Sequence, residues 1–174
     1  MGTTGPEHRL VLLRHAKSAY PHGVPDHERP LAGKGRRNAQ AAGEWFVAEG
    51  PHPDLVLCSD ATRARHTWEI IAGSLEPAPA VRLTPELYYS GAAELMDLVR
   101  RQPDGLYTVV VVGHEPTLSE ATLQLAAVGS DPTALAQVER KFPTSGIAVL
   151  RLSDGWSSLR PGTAVLERFA IPRA

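Results

Sequence analysis

Cysteine is nearly missing from this 174-residue chain, Cys58 being the only one. That excludes an intramolecular disulfide and a cysteine-built metal cage. No stretch approaches the roughly 18 uninterrupted apolar residues of a membrane span. The opening residues Met1 to His8 also lack the apolar core of a secretory leader. Net charge is close to zero, with 18 basic against 19 acidic side chains, so no overall field drives the chain onto a nucleic acid or an anionic membrane. The expectation is a cytoplasmic protein with neither partner, in which any anion site is a local cluster. There is no fixed-period repeat and no long low-complexity tract.

What is present suits one compact domain over residues 1–174, with residues 1–8 as a loose tail. Apolar residues make up 43% of the chain, an ordinary share for a globular protein. Leu10-Val11-Leu12-Leu13 reads as a short buried strand that stops abruptly at Arg14 and His15. The following stretch, Ala19 to Lys34, is punctuated by proline and glycine and shows neither helical nor alternating periodicity, so it reads as a long loop of the kind that usually serves function.

A helix is expected from Gly35 to Phe46, a strand from Asp54 to Cys58, and then Ser59-Asp60 as helix N-caps. The helix after them places Ala64, Trp68, Ile71 and Leu75 on one face, with Arg63 in its first turn. Cys58, behind Leu55-Val56-Leu57, reads as a small core residue rather than a reactive thiol. Further on come a short extension at Val81 to Thr84 and a helix from Ala92 to Arg101. The run Tyr107 to Val112 is the strongest strand signal, apolar enough to be central and parallel. It ends in Gly113-His114. A helix with Leu118, Ala121, Leu125 and Val128 inward follows, then a short helix within 131–141 and two late strands over 146–152 and 163–170. Strands alternating with helices imply a three-layer α/β/α sandwich around a mostly parallel central sheet.

In such a sheet the loops at the carboxyl ends of the strands form the ligand crevice. One strand delivers Arg14 and His15 there, the next leads to Arg63, and the central one delivers His114. Two guanidiniums and two imidazoles without a set of carboxylates suit a phosphoryl group: arginine offers a rigid fork of donors, and an imidazole can be the nucleophile that carries the phosphoryl group between two steps.

Leu12-Leu13-Arg14-His15-Ala16 resembles the Arg-His-Gly/Ala signature of the histidine phosphatase superfamily, the group that includes cofactor-dependent phosphoglycerate mutases. Ser59, Arg63 and Thr67 are similar to its Ser-x-x-x-Arg-x-x-x-Thr element, and Val112-Gly113-His114-Glu115-Pro116 to its second histidine motif. Arg14 to Ser18, Asp26 with Arg29-Pro30-Leu31 and Gly35, and Lys141-Phe142-Pro143-Thr144 look most like the small SixA-type phosphohistidine phosphatases.

The resemblance implies a phosphoglycerate mutase-like fold and a metal-independent hydrolase without cofactor. It further implies His15 as the phosphorylated nucleophile, and Arg14, Arg63 and His114 around the phosphate with Ser18 as a further substrate contact. The general acid of the family matches Glu86 by context. The substrate would be a phosphohistidine on a protein, or else a small phosphomonoester, because too few residues separate the second helix from the central strand to build a long cover. One departure is Glu115, where small members of this branch often have Asn.

Rival readings fare less well. Cysteine-dependent phosphatases use Cys-x5-Arg, and that spacing from Cys58 falls on Ala64. Gly33-Lys34-Gly35 fits neither nucleotide-binding glycine pattern. A silent phosphate-binding scaffold is at odds with two intact histidines. His22 and His27 beside Asp26 have no spacing that fixes a metal, and His8, His52 and His66 read as solvated.

Overall fold

The computed structural model describes residues 5–174. The start of the expected tail, Met1 to Thr4, lies outside the described residues, and Gly5 to Glu7 are exposed and irregular. A six-stranded sheet forms the centre, in the order β3-β2-β4-β1-β5-β6. Strands β1 (His8–Arg14), β2 (Leu55–Cys58), β3 (Ala80–Leu83) and β4 (Thr108–Gly113) run parallel. The late strands β5 (Ile147–Leu152) and β6 (Val165–Ala170) form a hairpin-like pair, with β5 antiparallel to β1.

Helices α1 (Gly33–Ala48) and α2 (Thr62–Ala72) cover one face, where they meet Val11, Leu13, Val56, Val110 and Val112. On the opposite face α3 (Ala92–Arg100), α4 (Thr117–Leu125) and α5 (Pro132–Arg140) meet Leu10, Leu12, Leu57, Val109 and Val111. Successive strand side chains point to opposite faces, so a continuous apolar run is what a sheet covered on both sides requires. Val109 to Val112 have no exposed surface, and each contributes roughly 1.5–3 kcal/mol by burial. This is the three-layer α/β/α sandwich the alternation of elements implied.

Four local expectations are corrected. Helix α4 ends at Leu125, and Val128 is fully exposed instead of inward. The chain turns there because Ala126 bridges Ala164 and Gly129 takes a φ of +97°. His8 is not solvated but 7% exposed, since its ring donates from Nε2 to the Asp104 carbonyl at 2.9 Å and packs on Tyr107 and Trp156. His66 is half-buried, whereas His52 is exposed as expected. Ser59 and Asp60 do not cap α2, whose N-cap is Ala61 without a side-chain bond.

What the sheet does for function is to align three strand ends. Arg14 pairs with Gly113, and Cys58 with Val112, so the residues just past β1, β2 and β4 leave the same edge at the same level. The loop from Ala19 to Ala32 folds back over that edge. It is held there by the bridge between Ser18 and Leu31 and by the Ala32 N–H bond to the Lys17 carbonyl at 2.9 Å. Gly35 in the first turn of α1 makes this fit possible, because a Cβ at that position would lie 2.0 Å from the Lys17 carbonyl oxygen.

Candidate active site

The aligned strand ends enclose a cavity of about 230 Å³ lined by Arg14, His15, Lys17, Ser18, Tyr20, Arg29, Arg63, His114, Glu115 and Thr144. Of the residues expected at the site, Arg14, His15, Ser18, Arg63 and His114 are brought together. Glu86 is not among them: it is exposed, and it lines a separate, larger groove with Tyr89, Glu94 and Arg101.

His15 lies just past β1 and is 7% exposed. Its Nδ1–H donates to the Ala16 carbonyl at 2.8 Å, which fixes the tautomer and leaves the lone pair on Nε2. That lone pair accepts from Arg63 Nε at 3.3 Å. Burial, with further repulsion from His114, Arg63 and Arg14, pushes the His15 imidazole down to about 3. Its ring centroid is 5.2 Å from that of His114. His114 is likewise pushed down to about 4, first by burial and then by Arg63. Both rings are therefore neutral at pH 7, and a neutral imidazole is what can attack.

The cations are placed by the fold. Arg14, the last residue of β1, donates from Nη1 to the Phe142 carbonyl at 2.8 Å, and its buried Nε has no partner among the described residues. Burial pulls the Arg14 guanidinium below its ordinary range, while the Glu115 charge opposes that shift. Glu115 Oε1 accepts the Ser119 N–H at 2.7 Å, so this carboxylate serves the first turn of α4 and balances Arg14.

Arg63, in the first turn of α2, donates from Nη1 to the Asp26 carbonyl at 2.8 Å and from Nη2 to Asp26 Oδ2 at 3.2 Å. Thr67, one turn on, donates to the Arg63 carbonyl at 2.7 Å and accepts the Ala16 N–H at 2.9 Å. One hydroxyl thus joins the loop after His15 to the helix that carries Arg63. Ser59 Oγ meets His114 Nε2 at 2.8 Å, the use that replaces its expected capping role.

Tyr88, which sequence reasoning passed over, hydrogen-bonds Asp26 through its hydroxyl. It belongs to a short 3-10 turn, Pro85–Tyr88, on the far side of the site. Nothing in its local pattern marks it, because its partner lies 62 residues away. His27 donates to Asp60 Oδ1 at 2.8 Å, and Asp26 turns to the arginines, so these residues are spent on the rim. Cys58 is buried with its thiol pushed up to about 12 by desolvation, in keeping with a core role.

A small cavity ringed by guanidiniums, with an oriented neutral imidazole at its base, is built for a tetrahedral dianion. The family model for the histidine phosphatase superfamily (branch 1) matches residues 10–88. An uncharacterised protein of Mycobacterium tuberculosis strain H37Rv is 46% identical over 162 residues, which are 92% of this chain and all of the relative.

The structure of a proposed phosphohistidine phosphatase SixA from Nakamurella multipartitia superposes with a TM-score of 0.86 at 34% identity, covering 98% of this chain and 99% of that one. Phosphohistidine phosphatase SixA of Escherichia coli K12 is 24% identical over 148 residues, 84% of this chain and 86% of its own. The chain belongs to the histidine phosphatase superfamily and has its phosphoglycerate mutase-like fold. Membership and site together support a phosphatase.

Proposed function

We propose that this chain is a metal-independent phosphatase that hydrolyses phosphohistidine on proteins through a phospho-His15 intermediate. The observation that carries the reading is the His15 ring, neutral, held by the Ala16 carbonyl at Nδ1 and presenting Nε2 inside a ring of cations. In the first step the Nε2 lone pair attacks phosphorus and the bond from phosphorus to the leaving imidazole nitrogen breaks. The leaving ring, protonated on its other nitrogen, departs neutral. His15 becomes a phosphoimidazolium whose Nδ1–H stays on the Ala16 carbonyl, a bond that strengthens as the ring gains charge.

In the second step water attacks phosphorus, the bond to Nε2 breaks with its electron pair returning to the ring, and the water proton goes to the released phosphate or to solvent. Arg14 and Arg63 neutralise the equatorial oxygens in both steps, with Ser18 and His114 as further contacts.

Two features support phosphohistidine over a bulky ester. The cavity is smaller than the roughly 300–1,000 Å³ that enclose a whole organic ligand, which suits a phosphoryl group presented from a protein surface. Among the described residues the one carboxylate lining the cavity, Glu115, is tied through Oε1 to the Ser119 N–H, and Glu86 lies in the neighbouring groove, so neither is positioned as a dedicated acid for an alkoxide. An imidazole leaves without that help. The names of the relatives from N. multipartitia and E. coli point the same way.

The test compares release of phosphate from a phosphohistidine-bearing protein and from an aryl phosphate, with chelator present, for the intact chain and His15→Ala. Faster chelator-resistant release from the protein, lost in the variant, is the expected result. Activity confined to the aryl phosphate would replace the reading with a small-molecule phosphomonoesterase, and none on either substrate with a binding role.

A further inference from the structure

The loop residue Asp26 holds more of the site than its exposed position suggests. Its carbonyl and its Oδ2 take one donor from each terminal nitrogen of Arg63, at 2.8 and 3.2 Å. The same Oδ2 accepts the Tyr88 hydroxyl, and Oδ1 accepts Arg29 Nε at 2.9 Å. Arg29 in turn donates to Ser18 Oγ at 2.7 Å. The Tyr88 ring closes the arrangement from outside, with Arg63 Cζ 5.8 Å from its centroid. Held in this way at both ends of its fork, Arg63 has its third direction, Nε–H, fixed on the His15 lone pair at 3.3 Å. The nucleophile's only free electron pair is therefore occupied in the resting site.

We propose that Asp26, backed by Tyr88, is a positioning residue that sets Arg63 to mask His15 Nε2 at rest and to release it when a phosphoryl oxygen takes over the Arg63 Nε–H. The inference rests on the phospho-His15 reading. It adds a condition on it: the lone pair becomes available only in the presence of an oxyanion that can accept from arginine. Phosphate oxygens are stronger acceptors than a neutral ring nitrogen, so the exchange is downhill for the correct ligand and does not occur for an uncharged one. The two Nη groups stay on Asp26 meanwhile, which keeps the guanidinium plane where the transferring group needs it. Asp26 itself remains ionised throughout, because the Tyr88 hydroxyl and the two arginines hold its carboxyl down at about 2.

Asp26→Asn separates positioning from simple damage. It keeps the backbone carbonyl bond, loosens Nη2 and removes a negative charge beside the cavity. We expect kcat to fall about tenfold while inorganic phosphate inhibits as well as before or better. Asp26→Glu, which keeps the charge, should restore most of kcat. Tyr88→Phe should lower it about threefold with phosphate affinity unchanged.

Independently of turnover, 15N spectra of histidine-labelled intact protein should show the His15 Nε2 signal moving when inorganic phosphate is added. In Asp26→Asn that signal should start nearer its phosphate-bound position. A kcat within twofold of intact, equal losses of kcat and phosphate affinity, or an unmoved Nε2 signal would overturn the proposal. Persistent turnover by His15→Ala would instead remove the phosphatase reading beneath it.

Discussion

His8 and His15 bracket the same strand, one opening β1 and the other following its last residue, and each is 7% exposed. Burial alone does not tell them apart. His8 packs between Tyr107 and Trp156, ring centroids 5.3 and 5.0 Å away, and bonds the Asp104 carbonyl through its ring. His15 has two guanidiniums and a second imidazole for neighbours. The amino edge of the sheet buries a histidine among rings as part of the core. The carboxyl edge buries one among positive charges, an arrangement that is unfavourable for folding and that a ligand bringing negative charge would relieve.

The largest effect that would sharpen this contrast is a matched pair of substitutions. His15→Ala is expected to lower turnover by at least about 10³-fold without loss of the folded state. His8→Ala is expected to leave turnover within about twofold and to cost about 2 kcal/mol in chemical denaturation, from the space left between Tyr107 and Trp156. If His8→Ala silenced the enzyme at unchanged stability, the division between the two edges would be wrong.

Next in size, Arg63→Ala removes part of what distinguishes the carboxyl edge. It should reduce kcat/KM by about 10²-fold on any phosphorylated substrate, and the His15 imidazole should titrate at higher pH, because Arg63 is one of the charges that hold it down. Lysine at position 63 should rescue little, lacking the planar fork.

Glu86→Gln, smaller again, should leave aryl phosphate and phosphohistidine hydrolysis within about twofold of the intact chain, because Glu86 lines the neighbouring groove. A selective loss on the aryl phosphate would bring Glu86 back as a leaving-group acid.

The smallest effect is on stability against pH. His15 and His114 have folded-state values near 3 and 4, below the ordinary 6.5. Below pH 6.5 the unfolded chain binds protons that the folded chain refuses, so stability should be intact at pH 7 and decline as pH falls from 6.5 toward 3. Denaturation midpoints at pH 7 and 5 check the sign. His15→Asn should flatten the decline.

The distinction between the two edges was only partly legible in the sequence. Arg14, His15, Arg63 and His114 could be found because each follows or nearly follows a strand whose apolar run is unmistakable, and a parallel sheet brings such ends together. His8 was misread because it sits at the start of a strand, where the sequence before it looks like a tail. Its burial depends on Tyr107 and Trp156, far along the chain. Ser59 was misread for a related reason: a serine ahead of a helix is normally its cap, and only the register between β2 and β4 shows that His114 competes for it. Asp26 and Tyr88 share no local pattern at all, and their partnership exists only once the long loop has folded over the edge.

The lining residues with proposed chemistry all lie before residue 116, yet the frame that orients them is completed later. Ser145, with a φ of +61°, directs its N–H to the carbonyls of both Arg14 and His15 at 3.2 Å, Phe142 holds the Arg14 side chain, and β5 supplies the second neighbour of β1. During synthesis the ribosome therefore delivers Arg14, His15, Arg63 and His114 well before His15 has its support. A nascent chain halted after His114 would carry all four side chains and still lack the frame that orients them.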